Sequence, residues 1–146
     1  MAQNIQRSVT QILRSVEEKL DEVRDEFLGN MARDLVSRSP VDTGAYVTSH
    51  SITTTSGAGR SRTSENKPRG QNTGAKQGEA LEQLYSDIAA IPDGATKVYI
   101  NNRSPHNKAV EFGANWTRDG HYVYQTVQGR AGEHLASAIA KVRSRE

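Results

Sequence analysis

Val41-Asp42-Thr43-Gly44-Ala45 is the short motif in this sequence whose residue types come closest to carrying a reaction. An Asp in such a turn, set beside the same Asp of a second copy, shares one proton with it because adjacent carboxylates cannot both ionise, and the pair activates water against a peptide bond. That chemistry needs an apolar strand leading into the Asp and a second apolar-apolar-Gly segment bracing the loop. Here Arg38-Ser39-Pro40 precedes Val41, at the end of a long helical pattern, and no bracing segment follows. The plainer reading is a turn. Pro40 keeps Ser39 out of helical geometry, Asp42 bonds nearby backbone N–H groups, and Gly44 supplies a permissive conformation, with Thr43 between them.

Other chemistries are poorly supported. His50, His106, His121 and His134 are scattered, without a His-x-x-x-His pair or dense carboxylates, so no metal site is expected. No Gly-x-Ser-x-Gly elbow accompanies any serine. Gly57-Ala58-Gly59-Arg60 lacks the Gly-Lys-Ser/Thr ending of a phosphate loop, and no nucleotide or other cofactor is indicated. The absence of cysteine removes disulfides, thiolate-bound zinc and a thiol nucleophile. These signs favour a protein that is not an enzyme.

The elements that must position these residues are drawn from 146 residues, suited to one domain. Only 34% of residues are hydrophobic and 5% aromatic, and the mean hydropathy is −0.73, so the core will be thin. From Ile5 to Val36 the apolar side chains recur at gaps of three or four, a helical stripe that predicts one long helix bent near Gly29, with a break there as the alternative. At about 1.5 Å per residue such a helix outreaches a domain of this size, so part of its stripe is expected to pack on another chain. Tyr46 to Thr55 reads as a strand, Glu79 to Ala90 as a short helix with Leu81, Leu84, Tyr85 and Ile88 on one face, and Lys97 to Ile100 as a strand closed by Asn101-Asn102. Ala109 to Phe112 suits a strand or a short helical turn, His121 to Val127 has strand composition, and a last helix carries Leu135, Ile139 and Val142 inward. The expected class is α+β, with a small, mostly antiparallel sheet.

Residues 56–79 contain five glycines and no large apolar side chain, and read as a flexible insert. Their cations, Arg60, Arg62, Lys67, Arg69 and Lys76, outnumber Glu65 and Glu79 by more than the whole chain's +2. Basic character is therefore local, suited to non-specific phosphate contact or to ordering on a neighbouring protein. Aromatic residues for base stacking are missing from it. Trp116 sits in a polar turn, as an interface anchor or as a lid on one end of the core. No run approaches the roughly 18 to 20 apolar residues of a membrane span, and the polar first residues Gln3, Asn4, Gln6 and Arg7 do not suit a secretory signal. A soluble chain made in the cytoplasm is expected.

Taken in order, the long amphipathic helix, Ser39-Pro40-Val41-Asp42-Thr43-Gly44 followed by Ser49, His50, Ser51 and Ile52, then Val98-Tyr99-Ile100-Asn101-Asn102 and Ala109-Val110-Glu111-Phe112-Gly113 resemble the tail-component family of long-tailed bacteriophages, which are neck or tail-completion proteins. Ser104-Pro105-His106-Asn107 stands where members usually show Pro-Tyr-Ala, and Gln128-Gly129-Arg130-Ala131-Gly132 replaces a Pro-Phe-Leu. The resemblance implies a non-enzymatic virion part that forms a ring, hexameric in form, at the head–tail junction, between the neck connector and the tail tube or terminator. It implies that Pro40, Asp42, Thr43 and Gly44 shape a turn. Glu111, Phe112 and Gly113, with Trp116, then make packing or interface contacts. On the same reading Arg60, Arg62, Lys67, Arg69 and Lys76 form an arm facing a neighbouring subunit or the channel DNA, with no cofactor, metal or membrane involved. Two alternatives stay open: a head-side connector or stopper of the same neck, and a homodimeric aspartic protease using Asp42.

Overall fold

The helical spacing from Ile5 onward produces a single helix, α1, running unbroken from Ala2 to Arg38 in the computed structural model. The structure describes residues 2–41, 44–62, 73–105, 107–113 and 120–145, with only the backbone of 2–10, 12 and 73. Gly29 does not break α1: it is buried among packed turns and the Arg33 side chain lies over it. After α1 come β1 (His50–Thr53), α2 (Thr73–Ala89), β2 (Tyr99–Asn102), α3 (Asn107–Phe112), α4 (Val123–Gly129) and α5 (Ala131–Arg143). The class is α+β, with one antiparallel pair of strands.

The core has two parts, both built on α1. Leu28, Ala32 and Val36, one helical turn apart, meet Ala80, Leu84 and Ile88 of α2, with Val47 and Ile52 closing the space. Met31 and Leu35, on the adjacent stripe, pack on Tyr46, Val123 and Val127. Leu81 is partly buried, whereas Tyr85 turns out to solvent. On α5 the inward residues are Ala138 and Val142, while Leu135, expected inside, is exposed.

Four local expectations are corrected. The start of the Tyr46–Thr55 segment is a 3-10 turn, Val47–Ser49, because the Thr48 and Ser49 hydroxyls donate back to the Gly44 and Ala45 carbonyls (2.5 and 2.6 Å) and compete with an extended backbone. The second helix begins at Thr73, so residues 73–79 of the supposed insert are helical. Asn101 and Asn102 continue β2 and do not close it. Ala109–Phe112 takes the helical one of its two expected forms, whereas most of His121–Val127, expected as a strand, is helical. The latter turns helical because the Glu111 carboxylate accepts the backbone N–H groups of Tyr124 and Gln125 (2.9 Å each), capping α4 from 13 and 14 residues upstream. Val123 and Val127, four apart, then bury one face of α4. Gly120 makes this junction possible: a Cβ there would strike the Glu111 carbonyl and the Phe112 backbone.

Sheet register follows from side-chain contacts. Ile52 pairs with Ile100 and His50 with Asn102. The Ile52 N–H points to Asp87 Oδ2 (3.0 Å) and the His50 carbonyl to Arg60 Nη1 (2.8 Å), so this parity of β1 faces away from β2. Ile100 and Asn102 accordingly turn their backbone groups to the outer edge of β2.

Leu84→Ala, in the middle of the first core, should lower unfolding stability by about 3 kcal/mol. Leu20→Ala on the exposed part of α1 should change it by less than about 0.5 kcal/mol, both read by urea denaturation.

Candidate functional site

The catalytic candidates first meet in a buried polar hub. Ser39, at the end of α1, donates its hydroxyl proton to the Leu35 carbonyl (2.7 Å) and lies 2.7 Å from His50 Nε2. On the other side of the ring, Nδ1 faces the Tyr124 hydroxyl (2.8 Å) and Asn102 Nδ2 (3.1 Å). Asn102 Nδ2 also donates to the Tyr46 carbonyl (2.8 Å), and its Oδ1 accepts from the Ser104 N–H (2.9 Å). One proton assignment satisfies every partner: Nε2–H donates to Ser39, and Nδ1 accepts from Tyr124 and Asn102. His50 is 1% exposed, and burial pushes its pKa down to about 3, so the ring is neutral. Burial also pushes the Tyr46 and Tyr124 hydroxyls well up.

This direction of proton donation is opposite to what a nucleophilic serine needs. A general base must accept the hydroxyl proton; here Ser39 gives its proton to a helix carbonyl and receives one from His50. The Ser39–His50 contact is structural. Spacing gave no sign of it, since Asn102 and Tyr124 lie 52 and 74 residues from His50. No group of three or more metal-ligating side chains occurs among the described residues. Asp42 and Thr43 lie outside the described residues. Their neighbour Gly44 has φ +87°, and the aliphatic stem of Lys76 packs on it. The segment entering it is the end of α1, with Pro40 half-buried.

The expected basic arm divides. The Arg60 guanidinium points into the fold: Nη2 and Nη1 meet the two Asp87 oxygens (2.6 and 2.9 Å), and further bonds reach the His50 and Gln83 carbonyls and Ser51 Oγ. Gly59 sets this up at φ +136°, pressed against Asn101 and Ser51. The Arg62 side chain is exposed, while its backbone N–H donates to Ser49 Oγ. Lys76 pairs with Glu79 at 3.3 Å. Lys67 and Arg69 lie outside the described residues, as do Trp116 and His106.

A second polar cluster joins α1 to α5. Asp34 is buried and accepts from His134 Nε2 (2.7 Å), Arg38 Nε (2.6 Å) and Arg130 Nη1 (3.2 Å). Burial alone raises its pKa, but the bonds from His134 and Arg38 and the nearby cations outweigh this and hold it below the usual carboxylate range. Glu26 is lowered likewise, chiefly by its bond from Arg145, with Lys141 adding to it.

Leu13, Val16 and Leu20 of α1 are 59%, 49% and 63% exposed. Phe112 is 66% exposed beside buried Glu111 and the Gly113 corner, so the three residues divide between packing and surface. It borders a groove of about 510 Å³ between β2, α3 and α4. No helix among the described residues is long and apolar enough to cross a membrane. Comparison with family models, with curated proteins and with solved structures finds no match.

Two outcomes follow. Arg60→Ala should cost about 2 kcal/mol of stability in denaturant unfolding, because it leaves Asp87 and two carbonyls without their cation. The unfolded chain protonates His50 near its ordinary value of about 6.5, whereas the folded chain does so only near 3. Stability from this group is therefore full above the unfolded value and falls as the pH drops through that window, by up to about 1.4 kcal/mol per pH unit. His50→Gln should remove that component of the slope when unfolding is followed between neutral and mildly acidic pH.

Proposed function

We propose that this chain is a non-enzymatic structural subunit of a bacteriophage neck, forming a ring at the head–tail junction that completes the tail and joins it to the head. The observation that carries the reading is the exposed apolar stripe Leu13, Val16 and Leu20 on α1. The helix is about 55 Å long at 1.5 Å per residue, and its described side chains before Asp21 are all exposed. Leu13, Val16 and Leu20 continue the same apolar stripe that is buried further along at Leu28, Ala32 and Val36. An apolar stripe kept on an exposed stretch of helix is stabilised by docking on a neighbour.

Two further features support this. The motif order across most of the chain resembles tail-completion proteins, and the Ser39–His50 pair is arranged for packing and not for nucleophilic attack. A subunit whose unmatched surface meets a different surface on the next copy forms a ring without an edge when the rotation between copies closes. Of the described arm cations, Arg60 and Lys76 meet acidic partners within the chain, and on this reading the exposed Arg62 faces a neighbouring subunit or the channel DNA. The partners are further copies of the chain, the neck connector and the tail tube or terminator.

Reconstruction of the neck of intact particles tests this: the chain should appear as a symmetric ring between connector and tail tube, and its absence from purified particles would overturn the reading. The triple variant Leu13→Ser, Val16→Ser, Leu20→Ser should keep its folding stability within about 1 kcal/mol while losing incorporation into particles. Unimpaired incorporation would show that the stripe is not the assembly surface.

A further inference from the structure

The two outer edges of the sheet are treated differently. On β1, the Ile52 N–H is taken by Asp87 and the His50 carbonyl by Arg60. On β2, the Asn102 carbonyl is taken by Asn107 Nδ2 at 2.5 Å, but the N–H and C=O of Ile100 have no hydrogen-bond partner among the described residues. That free donor and acceptor lie side by side on the wall of the 510 Å³ groove, and Ile100 itself is only half-buried.

The rest of the lining indicates what would pair with them. Beneath Ile100 the groove meets an apolar recess of about 270 Å³ formed with Met31, Leu35, Tyr124 and Val127. The charged residues lining the groove are Lys108 and Glu111, and the Glu111 carboxylate is held by the N–H groups that begin α4. Lys108 is exposed on the groove, so it presents a cation there. A helix satisfies its own backbone and leaves the Ile100 pair unmatched, whereas an extended chain supplies a matching carbonyl and N–H at strand spacing.

We propose that the outer edge of β2 receives an extended peptide segment of a partner protein as a third strand. Its backbone bonds to Ile100, one apolar side chain enters the Met31–Val127 recess, and an acidic side chain meets Lys108. This does not rest on the ring reading, since strand addition needs neither a ring nor the stripe on α1.

The test uses the full chain and a random dodecapeptide display library as probe. Enriched peptides should carry alternating apolar residues with an Asp or Glu, and should slow exchange of the Ile100 amide by about tenfold or more. Gln125→Trp, which fills the groove from an exposed position, should weaken them by about tenfold. Lys108→Glu should weaken them by about fivefold. Thermal unfolding of both variants verifies that they remain folded. The proposal is overturned if no peptide is enriched, if binding leaves the Ile100 amide exchanging as before, or if Gln125→Trp binds as tightly as the parent. Unchanged or tighter binding to Lys108→Glu overturns the acidic requirement.

Discussion

A neutral, buried histidine holds this fold together. Two strands of four residues each are marginal by themselves, and the bonds around His50 fasten the pair to the end of α1 through Ser39 and to α4 through Tyr124. Asn102, on the strand opposite, completes the arrangement by fixing the Tyr46 carbonyl and the Ser104 N–H. Every donor has an acceptor, so the low dielectric strengthens the set. Deleting one member would strand the others at about 1 to 3 kcal/mol per buried group. The serine that opens the Pro-Val-Asp-Thr-Gly segment is thus a joint between helix and sheet.

The thin core explains why polar contacts carry so much of the architecture. α5 places only Ala138 and Val142 fully inside, and its seat on α1 is completed by His134 and Arg130 on Asp34, by Asn30 bonding the His134 carbonyl, and by Lys141 and Arg145 on Glu26. Exposed ion pairs contribute little, with typical values of about 0 to 1 kcal/mol. Asp34 differs because it is buried with three donors around it. Arg60 does the same for the other side of the molecule, binding the loop before it, β1 and α2 through Asp87. These contacts consume the charged groups nearest the interior and leave the apolar stripe of α1 and the β2 groove as the surfaces with unmatched chemistry.

Much of this was legible in the residues, and the failures have a common cause. The period of three and four in α1 is a local signal, and it held through Gly29 because the burial around that position outweighs a glycine's preference. Leu84 and Ile88 were placed inward by the same periodicity. The His121–Val127 segment has the composition of a strand, but its conformation is decided by Glu111 on another helix. Arg60 looked like part of a loose basic arm because its partner, Asp87, is 27 residues away. The hub was invisible for the same reason: its members span the chain from Ser39 to Tyr124, and none is unusual alone. Composition and spacing report local preference, whereas these choices were made by contacts distant in sequence.

The pairing of α1 with α5 also bears on how the chain folds. Asp34 and His134 are 100 residues apart, and Glu26 and Arg145 are 119 apart. Closing loops of that size is slow compared with forming the helices themselves. During synthesis α1 emerges before α5, so Glu26 lacks its Lys141 and Arg145 partners, Asp34 lacks His134 and Arg130, and the inner stripes stay open until α5 follows. The acidic face of Glu17, Glu18, Asp21, Glu22, Asp25 and Glu26 then acts as a solubilising guard along the waiting helix, keeping nascent copies apart before the native contacts form.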